Sequence, residues 1–386
     1  MNRAELTLLR RLNAVCPYYT MFPLDFPMDS LGAARQGDWV LDPFCGRGST
    51  NYAARMRNLP SVGIDSNPVA VAIAKAKLAH TTPARVITAC RRILQSRGRP
   101  AEVPTGAFWS RAFHKDTLVQ ICKLREALMK DCSSDSRIAL RAMLLGRLHG
   151  PKTKRRKRSY LSNQMPRTYA SKPGYAVGFW RERKMWPPKV SVLELIERKA
   201  PDYFAANPSS VEGRIVRGDS RTINIADYVG CKASWVITSP PYYGMRTYVP
   251  DQWLRYWFVG GPSAVPYQFT GQLNHGSPDV FAKDLALVWA NVARSCKRGA
   301  RMVIRFGGIP DRAANPLDIL KSSLRVAGCG WRISTIRAAG TANPGKRQAS
   351  QFLLKASKPV QEFDLYARLQ SKQKGTGARR LDHARR

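Results

Sequence analysis

The sequence predicts an α/β fold: a mostly parallel sheet covered by helices, interrupted by a long basic insert and closed by an antiparallel strand pair. Three observations predict it. "GDWVLDPFCGRGSTNYAARM" (37–56) reads as a short buried strand, a glycine turn and a helix. "LPSVGIDSNPVAVAIAKAKLAH" (59–80) repeats that order, with a strand ending at Ile64-Asp65 and an Ala-rich helix opened by Ser66 or Asn67 and Pro68. Two consecutive strand–helix units call for parallel pairing, because a parallel strand can be reached only by a crossover. Third, strand-like runs resume far downstream, at "EGRIVRGDS", "ASWVITSPPYY" and "GARMVIRFGGI", the last after a helical "VFAKDLALVWANVARSCKRG".

The remaining elements follow in order. Residues 1–90 form the first part of the core and 211–360 the second. Residues 91–210 form a helical to irregular, basic insert, and 361–386 a basic tail with no apolar face over "KQKGTGARRLDHARR". "GWRISTIRAAG" and "SQFLLKAS" are the expected antiparallel pair.

Composition narrows the partners. Among 386 residues, 64 Lys and Arg stand against 26 Asp and Glu, a formal net charge of +38 spread along the whole length. That excess predicts a polyanion, nucleic acid before an anionic membrane surface. The eight cysteines show no C-x-x-C pair or zinc-site spacing, so no metal site is expected and they read as reduced core thiols. "MNRAELTLLRRLNAV" has no apolar signal core and no run of about 18 apolar residues occurs, which fits a cytoplasmic protein.

Two motifs carry the chemistry. In "DPFCGRGST", Gly46 and Gly48 let the backbone turn tightly and approach a ligand. Asp65 ends the next strand about 20 residues on, where a ribose would be held in a nucleotide-binding fold. A plain strand–helix turn is the alternative, and a P-loop is excluded because no Lys follows the glycines. In "VITSPPYYGM", Pro240 and Pro241 forbid a continuing ladder and fix a bend carrying Ser239 and Tyr242 directly after a buried strand.

Asp42-Pro43-Phe44-x-Gly46-x-Gly48-x-Thr50, Gly63-Ile64-Asp65-x-Asn67-Pro68 and Ser239-Pro240-Pro241-Tyr242 together resemble the DNA amino-methyltransferases. These enzymes depend on S-adenosylmethionine (AdoMet), modify exocyclic nitrogens of cytosine or adenine, and serve DNA methylation and restriction–modification. "YTMFPLDFPMDSL" and "RIVRGDSRT" resemble two further cofactor segments of the family. The likeness covers roughly residues 15–80 and 211–355 and implies a Rossmann-like methyltransferase sheet.

It also implies site roles. Phe44, Gly46 and Gly48 would face the methionine part of AdoMet, with Asp42 and Ser66 inside the same two motifs. Asp65 would hold the ribose, and Asp219 would accept from the adenine amino group. Phe44 could also lie against the sulfonium. A turn-capping Asp219 and a core Phe44 are the alternatives. A flipped base would be gripped by Ser239 Oγ and the Pro240 carbonyl and stacked on Tyr242. No Pro-Cys dipeptide exists for carbon-5 chemistry, so transfer to nitrogen is expected. Ser239, where the family's adenine enzymes usually carry Asp, favours N4 of cytosine over N6 of adenine.

The insert separates the second and third cofactor motifs, a departure from one common family order, and is the candidate region for contact with double-stranded DNA. Lys154, Arg155, Arg156, Lys157 and Arg158 would meet phosphates, and Asn163, Gln164 and Arg167 are types able to read base edges. A solvated charged loop is the alternative. RNA is the alternative substrate, and an idle nucleic-acid-binding protein the alternative from another class.

Overall fold

The structure, a computed structural model, describes residues 3–18, 22–151, 158–165, 172–206, 208–245, 250–267, 271–308, 314–341 and 361–370. Among the described residues seven strands form one sheet: β1 (Val40–Asp42), β2 (Ser61–Asp65), β3 (Gly213–Arg217), β4 (Ala233–Thr238), β5 (Cys296–Gly307), β6 (Trp331–Thr341) and β7 (Gln361–Leu369). Their spatial order is β3-β2-β1-β4-β5-β7-β6. β3 through β5 pair in parallel, while β7 runs antiparallel to both β5 and β6. This is the mostly parallel Rossmann-like sheet with an antiparallel carboxyl-terminal pair.

The pair itself differs from expectation. Trp331–Thr341 finds its partner in Gln361–Leu369, within the segment read as tail, while "SQFLLKAS" lies outside the described residues. Three charged residues in "QEFDLYARL" obscure a strand whose Leu365, Ala367 and Leu369 are buried. One of the three, Asp364, is neutralised by Arg305 of β5 through two hydrogen bonds of 2.8 Å each. A paired charge can enter a sheet where an unpaired one could not.

Helices follow the strands. Before β1 lie α1 (Arg3–Leu12) and α2 (Asp25–Ser30); α3 (Ser49–Met56) and α4 (Pro68–Leu78) follow β1 and β2. Between β2 and β3 come α5 (Pro83–Gln95), α6 (Ala107–Ala112), α7 (Lys115–Lys130), α8 (Asp135–Leu145), α9 (Pro173–Glu182) and α10 (Val192–Phe204). Then come α11 (Trp253–Phe258), α12 (Pro278–Arg294) and α13 (Pro316–Ala327). Pro at the first turn and an Asn or Thr cap start α4, α5 and α13 as the sequence signals.

The central strands β1, β4 and β5 are largely buried on both faces, and alternate residues serve different cores. Val40, Trp235, Ile237 and Val303 join one hydrophobic cluster, whereas Leu41, Val236, Met302 and Ile304 join the other. The first cluster runs without a break from α3 and α4 through Phe108, Trp109, Leu140 and Trp180 of the insert to Trp253 and Trp257 of α11. Helix α5 crosses residue 90, and the insert shares its core with one face of the sheet.

Candidate active site

In an open parallel sheet the ligand crevice lies beyond the carboxyl ends of the strands, where the strand order reverses. Here that point is between β1 and β4. After β1 the chain moves outward through β2 to β3, then returns to place β4 on the other side of β1. The glycine turn follows β1 and the Ser-Pro-Pro-Tyr bend follows β4, so two motifs far apart in sequence emerge side by side.

Side chains lock the two ends together. Thr238 Oγ1 donates to Asp42 Oδ1 at 2.6 Å, and Thr50 Oγ1 donates to the Ile237 carbonyl at 3.2 Å. The Phe44 amide also donates to Asp42 Oδ1, while Asp42 Oδ2 is buried with no hydrogen-bond partner. Burial raises the Asp42 pKa to about 6, against the opposing hydrogen bonds from Thr238 and Phe44.

The turn is held from below by Asp65. Its Oδ2 accepts from the Gly46 amide at 2.9 Å and its Oδ1 from the Asn67 amide at 2.8 Å. Burial raises Asp65 to about 6 as well, opposed by these two backbone donors. Gly46 (φ +50°) and Gly48 (φ +74°) adopt left-handed backbone. A Cβ on Gly48 would strike Ala74 Cβ of α4 at 2.8 Å, so this glycine serves the close approach of turn and helix. A Cβ on Gly46 would meet nothing nearer than the Phe44 carbonyl at 4.0 Å, so space opens beside the turn.

The open space at Gly46, the orphaned Asp42 oxygen and the Asp65 carboxylate fit the charged amino group and the ribose of AdoMet. Phe44 is half-buried and meets Trp289 edge-on at 6.2 Å, so it belongs partly to the core. Ser66 is half-buried and lies against Gly271.

Asp219, expected beside the adenine ring, already has partners within the protein. Its carboxylate is taken up by Arg221, which approaches to 2.6 Å and also reaches Asp284 at 2.7 Å. Burial works against ionisation of Asp219, but the Arg221 hydrogen bonds outweigh it and hold the pKa below the usual carboxylate range. The Arg221 amide also donates to Asp219 Oδ1, and the Thr222 and Ile223 amides to the Asp219 carbonyl. Asp219 caps the turn after β3, and an adenine amino group would have to compete with a guanidinium for it. The neighbouring Ser220 Oγ donates to the Pro43 carbonyl at 2.5 Å, which ties this turn to the glycine turn.

In the bend after β4, Pro240 is buried and Ser239, Pro241 and Tyr242 are half-buried. The Tyr242 hydroxyl donates to Glu362 Oε1 at 2.6 Å, and its ring meets Phe306 edge-on at 5.5 Å. The Gly244 amide donates to His275 Nδ1 at 2.9 Å, and Tyr243 packs on His275 and Phe281. Thr238, Glu362, His275 and Tyr18 were not legible as site residues. The Tyr18 hydroxyl accepts from Asn67 Nδ2 at 3.0 Å, beside Asp65. Thr238 could have been found from its position at the strand end, but nothing in the sequence marks the others.

The insert's expected DNA-reading residues divide. Lys154, Arg155, Arg156, Lys157 and Arg167 lie outside the described residues, and Arg158 is exposed. Asn163 and Gln164 are buried and cannot read base edges. The Asn163 amide donates to the Ala112 carbonyl at 2.6 Å and its side chain to the Arg111 carbonyl at 3.3 Å, while the Gln164 carbonyl accepts from Trp180 Nε1 at 3.3 Å. Asn163 through its backbone and side chain, and Gln164 through its backbone carbonyl, join α6 to α9, while Gln164 Nε2 is buried without a hydrogen-bond partner. Among the described residues no acidic, His or Cys cluster could hold a metal, and no helix is long and apolar enough to cross a membrane.

No curated protein matches the sequence. The solved structures resembling it include TrmN from Thermus thermophilus, with 11% identity, a TM-score of 0.31, and 89% of this chain and 47% of that chain covered. This chain thus spans about half the length of TrmN. The rRNA methyltransferase aviRa from Streptomyces viridochromogenes shares 13% identity at a TM-score of 0.35, covering 95% of this chain and 93% of its own. A TehB-like SAM-dependent methyltransferase from Corynebacterium glutamicum shares 11% at 0.32, covering 91% and 89%. Likeness at this level carries no argument about substrate. Residues 19–76, which hold the glycine turn, Asp65 and the Asn67-capped helix, match the family model described as DNA methylase, consistent with the DNA amino-methyltransferase likeness of the motifs.

Proposed function

We propose that this chain is an AdoMet-dependent DNA methyltransferase that modifies the exocyclic amino group of a flipped base, N4 of cytosine. The observation that carries the reading is the Asp42–Thr238 bond of 2.6 Å, which ties together the strand ends that lead into the glycine turn and the Ser-Pro-Pro-Tyr bend. The DNA methylase match over residues 19–76 supports it.

Asp42 Oδ2 and Asp65 would hold the cofactor's amino group and ribose, and the turn at Gly46 would leave room for its methionine part. When bound, AdoMet supplies an electrophilic methyl group. The protein's part is to present the acceptor amine. Ser239 Oγ and the Pro240 carbonyl each accept a hydrogen bond from the –NH2, which holds its lone pair out of ring conjugation, and Tyr242 gives the base a stacking face. An uncharged Ser at the first position favours cytosine, since the family's adenine enzymes usually place a carboxylate there. A cytoplasmic location and a role in restriction–modification accompany this reading.

Incubation with methyl-labelled AdoMet and duplex DNA, with structured RNA in parallel, tests the proposal. Label in DNA that digests to N4-methylcytosine is expected. N6-methyladenine alone would overturn the base, label in RNA alone would overturn the substrate, and no label in either would overturn the reaction.

A further inference from the structure

The segment Lys172–Lys189, "KPGYAVGFWRERKMWPPK", holds five basic residues against one acid. Helix α9 buries Ala176, Val177 and Trp180 and leaves Tyr175 exposed. At its end Lys184 adopts left-handed backbone (φ +49°), and the Met185 amide closes back on the Trp180 carbonyl at 2.8 Å. Such a cap is ordinarily glycine. Here it carries a cation and fixes the direction of the next residues, with Pro187 and Pro188 stiffening the chain beyond.

The residue so presented is Trp186, 70% exposed, the most exposed of the tryptophans described. The Arg111 guanidinium of α6 lies over its ring, 3.9 Å from the centroid. One face of the indole is therefore covered by a cation, and the ring is fixed without being buried. Arg181 and Lys184, within five residues of it along the chain, are exposed, while Arg183 lies over Phe179 and pairs with Glu182. The support is firm: Asn163 and Gln164 join α6 to α9, and Trp180 packs on Phe108, which packs on Trp253 at the start of α11. That helix begins eleven residues after Tyr242.

We infer that Trp186, backed by Arg111, is a stacking platform for an unpaired base of a nucleic-acid strand, with Arg181 and Lys184 placed for its phosphates. An exposed, rigid indole among cations suits a polyanion with flat rings, and the +38 charge of the chain points the same way. The inference deepens the nucleic-acid reading above and rests on it.

The test is fluorescence anisotropy on the full chain without cofactor, using labelled single strands of about 20 nucleotides, of deoxy and ribo type, and a blunt duplex. Trp186→Ala is expected to weaken single-strand binding about 5- to 150-fold with little change in salt slope, and Trp186→Phe to restore much of it. Arg181→Gln with Lys184→Gln is expected to flatten the slope of log affinity against log salt by about 0.7 for each phosphate no longer neutralised. Trp186→Ala binding single strands as tightly as the unaltered protein overturns the platform alone. An unaltered protein that binds none of the probes overturns the platform and the nucleic-acid reading together. A Trp186 effect without any methyl transfer upholds the platform and removes the proposed reaction.

Discussion

Glu362 of β7 accepts the Tyr242 hydroxyl at 2.6 Å, so the antiparallel end of the sheet fixes an aromatic ring that follows β4. The contact depends on Gly307. A Cβ there would stand 3.1 Å from Glu362 Cγ and 3.2 Å from Tyr242 Cε2. Strand β5, which lies between β4 and β7 in the sheet, must be bare at that point for the two residues to meet.

Loss of this hydrogen bond frees the ring. Glu362→Ala is expected to lower methyl transfer about five- to tenfold, corresponding to ~1 kcal/mol for one hydrogen bond, while AdoMet affinity stays unchanged. Glu362→Gln keeps an acceptor and should remain near the unaltered rate. Single-turnover rates beside calorimetric AdoMet titrations check this, and a fall in AdoMet affinity with Glu362→Ala would refute the division of roles.

Asp65 has two amides to satisfy besides a ligand. Asp65→Ala removes the acceptor for the Gly46 and Asn67 amides and for the ribose, and is expected to weaken AdoMet binding by about 1.5–3 kcal/mol. Asp65→Asn keeps one acceptor oxygen and should lose less. Calorimetry on variants with unaltered far-ultraviolet dichroism decides it; equal affinity in Asp65→Ala would remove this residue from the cofactor site.

The two buried acids predict a pH dependence. Asp42 and Asp65 both have pKa values raised to about 6 by burial, so each is ionised above that pH and protonated below it. A cationic amino group and ribose hydroxyl donors favour the ionised forms. AdoMet affinity is therefore expected to hold steady above about pH 7 and to fall below about pH 6, by up to about tenfold per pH unit for each group. Titrations between about pH 5 and 8 measure it, and Asp42→Asn should make the fall shallower. A flat profile in the unaltered protein would show that neither carboxylate meets the ligand.

Gly48 is expected to be a stability position. Gly48→Ala forces an L-residue into left-handed backbone and drives its Cβ to 2.8 Å from Ala74 Cβ. Strain and overpacking together should cost about 2–4 kcal/mol, read as a lower urea midpoint at unchanged slope. Gly46→Ala, with open space at its Cβ, should cost only the backbone strain, about 1–2 kcal/mol.

The sequence by itself determined the local pieces. Two strand–helix units, the glycine turn, the Asn67-Pro68 helix start and the proline bend were all legible, because each is written in neighbouring residues whose backbone preferences agree. Hydrophobic runs likewise placed β4 and β5. Tertiary structure decided what neighbours could not encode. Strand order placed β4 beside β1, and only then did Asp42 meet Thr238. Charges hid β7, since Asp364 is acceptable in a sheet only because Arg305 faces it from 59 residues away. Arg221 pairs with Asp219, and the interior took up the Asn163 side chain, although both were of types suited to ligands. A polar side chain is free for a ligand only when the fold leaves it without a partner, and that is a property of three-dimensional neighbours.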